Sequence, residues 1–259
     1  MPVIYEPRGK AREYSPLACN LYMGCTHGCR YCYAPGALGK RAADYFSTPH
    51  PRKGILRNME SELKGNVITR QIMLSFVGDV YCETADEGQT TRGALEILLA
   101  HGARVAVLTK GGGRCLRDMD LFKRFEGNIM VGATLTFWDE GKSRLWERGA
   151  ADPADRIAAL KTLKSEGVRT FASFEPVIEP KESLWAMKMS LDEDCVDIYK
   201  IGKLNNYMGL DKNVDWAKFL ELSLKLLRPT GKRIYIKHDL RQAAPGILLS
   251  EAECRPVED

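Results

Sequence analysis

From residue 67 onward the chain alternates between short apolar runs and stretches with helical periodicity. The runs occupy residues 72–77, 105–108, 129–135, 168–174, 196–201 and 234–236, and their β-rich content predicts strands. Successive starts lie roughly 25 to 40 residues apart, room for a strand, a helix and two turns, so parallel strands joined by crossover helices are expected. The intervening segments agree. Asp152 is placed to cap a helix, Pro153 suits its first position and Asp155 favours its positive end. Ile157, Leu160 and Leu163 then form an apolar stripe that Gly167 ends. Similar stripes run through 93–100, 116–125 and 216–227. One more strand near residues 18–22 completes about six βα units with an extra C-terminal strand. The fold class is α/β. No internal repeat, low-complexity tract or Gly/Ser-rich linker divides the chain. A single domain over 1–259 is expected, with a core at about 15–205 and a C-terminal extension at about 206–259.

Composition narrows the class further. With 259 residues, 44% of them apolar, the chain can bury a substantial core, which excludes disorder as the default. No window holds about 18 consecutive apolar residues, and the first residues lack the charged head and apolar body of a secretory signal. A soluble cytoplasmic protein with no membrane partner is expected. Lys plus Arg exceed Asp plus Glu by 38 − 34 = 4, too mild an excess to coat the surface for nucleic acid. Local cations remain: Arg8, Lys10 and Arg12, then Lys40, Arg41, Arg52 and Lys53, and His238 with Arg241. With interleaved Tyr and Phe they are candidates for a nucleic-acid groove, although such runs are ordinarily solvated surface.

In parallel α/β barrels the functional groups gather at the C-terminal ends of the strands. The residues that follow each apolar run are Gly78, Asp79, Tyr81 and Cys82; Thr109 and Lys110; Thr136; Glu175; Lys200, Gly202, Lys203 and Asn205; and Lys237 with His238. Thr134, Thr136, Ser173 and Glu175 alternate with apolar neighbours, the pattern that turns polar groups toward a lumen. Glu175 is the candidate for a substrate or ribose contact, and Lys110 and Lys200 are candidates for binding a carboxylate or phosphate.

Four of the eight cysteines, Cys19, Cys25, Cys29 and Cys32, crowd into one segment while Cys82, Cys115, Cys195 and Cys254 are scattered. That distribution points to a reduced compartment and a metal rather than a disulfide framework. Cys25-Thr26-His27-Gly28-Cys29-Arg30-Tyr31-Cys32 has the spacing C-x3-C-x2-C, and three soft thiolates suit an iron–sulfur cubane with one iron left open. The competing reading is a zinc knuckle closed by His27 or Cys19 as fourth ligand.

The segment from Asn20-Leu21-Tyr22-Met23-Gly24 through the triad to Tyr33-Ala34 resembles the signature loop of the radical S-adenosylmethionine superfamily. More narrowly, it is similar to the spore photoproduct lyase-like branch. Gly78-Asp79-Val80-Tyr81 with Thr91-Arg92 resembles that branch's TDPY and LTR pair, and Leu108-Thr109-Lys110 with Arg117-Asp118 resembles its ILTKS and RD elements. Arg156 also has a match, in the helix after the fourth strand.

The resemblance implies a partial (β/α)6 TIM-type barrel with parallel strands. Cys25, Cys29 and Cys32 would carry a [4Fe–4S] cluster whose open iron takes S-adenosylmethionine. It implies an enzyme of lyase or isomerase type: one electron splits the sulfonium, and the 5′-deoxyadenosyl radical removes a hydrogen from the substrate. Gly78 and Asp79 would meet the methionine amino group, Tyr31 the adenine and Arg156 the carboxylate. Thr136, Ser173 and Lys200 complete the cofactor-side candidates. Tyr81 and Cys82 are the catalytic candidates, Cys82 lying close to where the branch places a hydrogen-donating cysteine.

The implied substrate is a thymine-derived nucleobase or nucleotide, in DNA or as a precursor, processed by a repair-type lyase or by rearrangement of a hypermodified thymine. A flavodoxin- or ferredoxin-type reductant and a monomer are expected. A small amino acid or metabolite held by Lys110, Lys200 and Lys203, and a non-catalytic metal-stabilised binding protein, are the other readings.

Overall fold

The computed structural model describes residues 2–204 and 207–256. The chain opens with β1 (Ile4–Tyr5) and β2 (Leu17–Cys19), followed by β3 (Tyr22–Met23) and β4 (His50–Pro51), a small antiparallel pair whose connection carries the cysteine triad. Six further strands follow, β5 (Ile72–Leu74), β6 (Val105–Thr109), β7 (Ile129–Thr134), β8 (Arg169–Phe174), β9 (Ile198–Ile201) and β10 (Arg233–Ile236). The main sheet has the order β1-β2-β5-β6-β7-β8-β9-β10. Every pairing from β2 to β10 is parallel, and only β1 runs antiparallel, along the edge of β2. Strands in strict chain order with helical crossovers are the topology of a TIM-type barrel, left open here between β1 and β10. The sheet is thus α/β and partial, as the sequence pattern and the resemblance predict.

Burial on both faces explains why these strands read as continuous apolar runs. One layer is contributed at period two by Ala18, Met73, Ala106, Met130, Phe171, Ile198 and Tyr235, with Tyr14 packed among them. The alternate positions, such as Val105, Val107, Val131, Ala172, Phe174 and Tyr199, pack in a larger core with the helices. Gly132 faces Phe171 at a point where an added Cβ would stand 2.6 Å from the ring, so only glycine admits that phenyl group.

The helix Pro153–Ser165 follows its predicted pattern: Ile157, Leu160 and Leu163 are buried, and each contributes about 1.5–3 kcal/mol by leaving water. Its expected cap is corrected. Asp152 stands at the N-cap, but its carboxylate accepts from Arg144 Nε and Nη2 at 3.1 and 2.8 Å instead of from the helix backbone. β5 stops at Leu74, short of the run expected over 72–77. There Asn20 Oδ1 accepts the Phe76 and Val77 N–H groups at 3.0 and 2.9 Å, taking backbone donors that a longer strand would offer to its neighbour. The strand expected near residues 18–22 is divided between β2 and β3. Residues beyond 205, read from sequence as an extension, supply the sheet's last strand, β10, in register with β9.

Candidate active site

The cysteine loop is pinned from several sides. Cys25 N–H donates to the Tyr45 carbonyl at 3.0 Å, Arg30 N–H to the Trp146 carbonyl at 2.8 Å, and Gly149 N–H to the His27 carbonyl at 2.8 Å. Thr26 Oγ1 donates to the Glu83 carbonyl at 3.3 Å and accepts the Glu83 N–H at 3.1 Å, which lays Cys25-Thr26 alongside Cys82-Glu83. Beneath the loop, Gly78 has φ +83° and no room for a side chain: a Cβ there would meet the Gly24 carbonyl oxygen at 2.6 Å. The glycine anticipated as a cofactor contact therefore lets two backbone segments touch.

Cys25 and Cys29 are buried, Cys32 is half-buried, and all three are free thiols. Cys82 packs in the same cluster as Cys25. The neighbouring Cys82 pushes the Cys25 thiol up, and Cys25 draws the Cys82 thiol down. Burial pushes Cys29 up to about 12, Lys110 working in the opposite direction, and burial also raises Cys32. Metal binding reverses that preference by stabilising the thiolates, with release of their protons. Among the described residues no three or more His, Cys, Asp or Glu side chains form a group able to hold a metal ion as the chain stands. A cubane makes a wider demand, because each thiolate takes a different iron. Both expected closers of a zinc site are engaged elsewhere. His27 is buried with Nδ1 3.4 Å from Asp79 and Nε2 3.4 Å from Arg114, and burial lowers it to about 4; Cys19 lies in the apolar core on β2.

A buried polar network stands behind the loop. Arg156 and Glu147, each 1% exposed, pair at 2.6 Å, and Arg156 also donates to the carbonyls of Ala151 and Thr134 at 2.9 Å. Glu147 accepts from Tyr31, between the second and third cysteines, and from Thr136 Oγ1 at 3.1 Å. Burial works against the Glu147 charge, but Arg156 and Lys110 outweigh it and hold the carboxyl below its ordinary range. Lys110 follows β6, half-buried, with its ammonium 5.7 Å from the centre of the Tyr31 ring. Burial opposes its charge too, and nearby Cys29 and Glu147 more than compensate. Arg156, expected at the cofactor carboxylate, thus has its guanidinium spent on Glu147 and two carbonyls. Glu147 has no sequence signal: it follows a short helix and meets a partner nine positions away, a spacing no helical face creates.

Asp79 is similarly filled. Its Oδ1 accepts from Tyr81 N–H at 2.8 Å and Thr109 Oγ1 at 2.7 Å, and its Oδ2 from Lys110 N–H at 2.7 Å. The carboxylate joins the ends of β5 and β6. Tyr81, expected on the catalytic rim, is instead fully buried in the large core, packs edge-on to Phe122, and donates to Asp118 Oδ2 at 3.0 Å. Asp118 also receives Arg92 at 3.1 Å, and Thr91 Oγ1 donates to the Val80 carbonyl at 2.9 Å. The TDPY-, LTR- and RD-like elements therefore meet as one structural bracket.

The remaining rim candidates gather at the other end of the sheet. Tyr14 shares a hydrogen bond with Ser173 Oγ at 2.6 Å and donates to Glu175 Oε2 at 2.9 Å. Lys237 pairs with Glu175, and Lys200 donates to the Tyr14 carbonyl at 3.3 Å, both ammonium groups lying near the Tyr14 ring. Sequence reasoning missed Tyr14, which precedes the first parallel strand. Lys203 pairs with Asp211 at 3.4 Å, and Asn205 lies outside the described residues.

Three thiols on a braced loop, no competing fourth ligand from His27 or Cys19, and a neighbouring ammonium form a donor set suited to an iron–sulfur cluster. The radical SAM superfamily profile matches residues 19–193, and the chain belongs to that family, which uses a [4Fe–4S] cluster and S-adenosylmethionine. A relative is the uncharacterized protein MJ0683 of Methanocaldococcus jannaschii, 30% identical over 161 residues, which cover 61% of this chain and 59% of that one. An uncharacterized protein of Acidianus two-tailed virus, ORF301, is 23% identical over 207 residues, 76% of this chain and 68% of that one. Among solved structures, a spore photoproduct lyase mutant with bound AdoMet and dinucleoside spore photoproduct superposes with TM-score 0.60 at 13% identity, covering 85% of this chain and 62% of that chain. Streptococcus suis SuiB bound to S-adenosylmethionine gives TM-score 0.60 at 12% identity, covering 90% and 53%. The chain thus spans about three fifths of the first relative and of the lyase. No helix among the described residues is long and apolar enough to cross a membrane.

Proposed function

We propose that this chain abstracts hydrogen from a thymine-derived nucleobase or nucleotide, free or in DNA, as a lyase or isomerase. The observation that carries the reading is the braced triad: Cys25, Cys29 and Cys32 would hold the cluster on three irons. A cluster bound there together with S-adenosylmethionine would supply one-electron reductive cleavage of the sulfonium. The chain's own groups do the positioning. Lys110, near Cys29 and Tyr31, would take the methionine carboxylate, while Asp79, Arg156 and Glu147 hold the frame. Tyr33, next to Cys32 and 62% exposed, offers an aromatic face on which a base can stack. An electron from a flavodoxin- or ferredoxin-type donor, action as a monomer in the cytoplasm, and one catalytic unit running through β10 belong to the same proposal.

The cationic runs give the polymer little support. Lys10 pairs with Asp239, Arg12 and Arg70 with Glu6, and Arg41 with Asp44. A nucleotide precursor is accordingly favoured over duplex DNA. A second reading, a small zwitterionic metabolite, is favoured by the buried Lys200 and Lys237 and the half-buried Glu175 around Tyr14. Deuterated thymidines and thymidine nucleotides, followed by mass analysis of 5′-deoxyadenosine, separate the two. Label transfer supports the nucleobase; transfer only from deuterated amino acids reverses the choice.

Two substitutions test the assigned roles. Lys110→Met is expected to raise KM for S-adenosylmethionine about tenfold or more, the worth of one charge-assisted hydrogen bond. An unchanged KM removes Lys110 from the cofactor. For Cys82, which packs against Cys25, the proposed role is hydrogen-atom return to a product radical: a C–H bond would form, the S–H bond would break and the unpaired electron would pass to the Cys82 sulfur. Cys82→Ala is expected to leave 5′-deoxyadenosine formation within about twofold of wild type, under 0.5 kcal/mol, and to change the ratio of substrate-derived products. Identical products leave Cys82 as packing.

A further inference from the structure

A phenol stands among the thiols with its hydroxyl unused. Tyr45 is 3% exposed, and its oxygen is buried with no hydrogen-bond partner among the described residues. Its ring packs in one cluster with Cys25, Ala34 and Cys82, with Cys32 and Phe46 at the margin. The residue is fixed in place. Its carbonyl accepts the Cys25 N–H at 3.0 Å and lies where a Cβ on Gly24 would approach to 2.9 Å, and its ring meets Phe46 edge-on at 5.4 Å between centroids.

A buried hydroxyl with no acceptor costs about 1–3 kcal/mol, a cost that phenylalanine, of almost the same shape, would avoid. The thiols of Cys25, Cys32 and Cys82 are among its neighbours, with the Tyr33 phenol also nearby. Protonated thiols are weak acceptors, whereas metal-bound thiolates and inorganic sulfides carry negative charge and accept readily.

We propose that Tyr45 donates a hydrogen bond to a sulfur of the cluster held by Cys25, Cys29 and Cys32, and that this bond raises the cluster's reduction potential. The inference rests on the cluster reading above. Reduction adds negative charge to the sulfurs, so a donor aimed at them stabilises the reduced state more than the oxidised one. Tyr45 is a positioning and tuning residue here and touches no substrate.

The test is Tyr45→Phe, reconstituted anaerobically, with iron and sulfide counted before a redox titration followed by electron paramagnetic resonance. Full iron is expected, with the reduced-to-oxidised ratio at the wild-type midpoint falling about tenfold, which is about 59 mV for a one-electron couple. An unchanged midpoint at full iron overturns the proposal. The cluster-free variant is expected to melt at or above the wild-type temperature, because no group of the described chain takes the hydroxyl. A lower melting temperature shows that the hydroxyl serves the fold, and it overturns the proposal as well. Wild-type protein that assembles no iron removes the cluster reading itself, and the iron count distinguishes that failure from the others.

Discussion

Cys25→Ala, Cys29→Ala and Cys32→Ala are each expected to abolish both the brown chromophore and S-adenosylmethionine cleavage, down to the uncatalysed background. The reason is geometric. On the proposed assignment each thiolate would take its own iron, so losing one would leave two anchors and open a second corner to solvent. Serine in place of cysteine keeps the size but supplies a hard alkoxide for a soft metal, and the same loss is expected. Cys82→Ala is the internal control, since it removes a thiol in contact with Cys25 but should leave iron content intact. If Cys82→Ala loses the cluster and one triad variant retains it, Cys82 is a ligand and the assignment of the three corners changes. Iron and sulfide analysis with absorption spectra distinguishes these outcomes before any substrate is known.

Arg156→Met is expected to destabilise the fold by about 3–5 kcal/mol in urea titration, because the buried Glu147 carboxylate loses its paired guanidinium and keeps, of its cations, only the more distant Lys110. The double variant Arg156→Met with Glu147→Leu should recover most of that loss, and the cycle formed by the four proteins isolates the pair's coupling. The dependence on pH follows from the same pair. Glu147 is held below its ordinary value, so its contribution is fully present above the unfolded carboxyl pKa and is lost as pH falls through the lower folded value. In Arg156→Met that carboxyl is raised instead, so the gap between variant and wild type should narrow toward acid. A gap that is the same at every pH would assign the cost to lost packing. Tyr31 hangs from Glu147, so the single variants should also loosen the cysteine loop and retain less iron.

The parallel strands were legible because their signal is local. A strand buried on both faces is a continuous apolar run, and β6 through β10 announce themselves that way. The small pieces were not: β1 has two residues, and the β3–β4 pair depends on a partner nearly thirty positions away. The helix Ile55–Leu63 is likewise hard to read, because it falls before the region of regular alternation. The triad was legible from spacing and wording, while the groups that support it were not. Asp79 draws donors from the end of β6, about thirty residues on, and Glu147 meets Arg156 only once the loops close. Tyr81 shows why counting along the chain fails at a rim: after Leu74 the backbone turns, the period of two is lost, and the phenol swings into the helix layer toward Asp118. A match of motifs marks residues that belong together without saying whether they meet a cofactor or each other.

Three sulfurs of this chain are proposed to leave one metal corner free for the sulfonium cofactor. Anaerobically reconstituted wild-type protein, reduced and examined by electron paramagnetic resonance with and without S-adenosylmethionine, tests it most directly. About four irons per chain, a cubane signal that shifts on adding the cofactor, and 5′-deoxyadenosine in the same tube are the predicted result. Colourless protein with a single zinc, or a cubane signal indifferent to the cofactor, would contradict it.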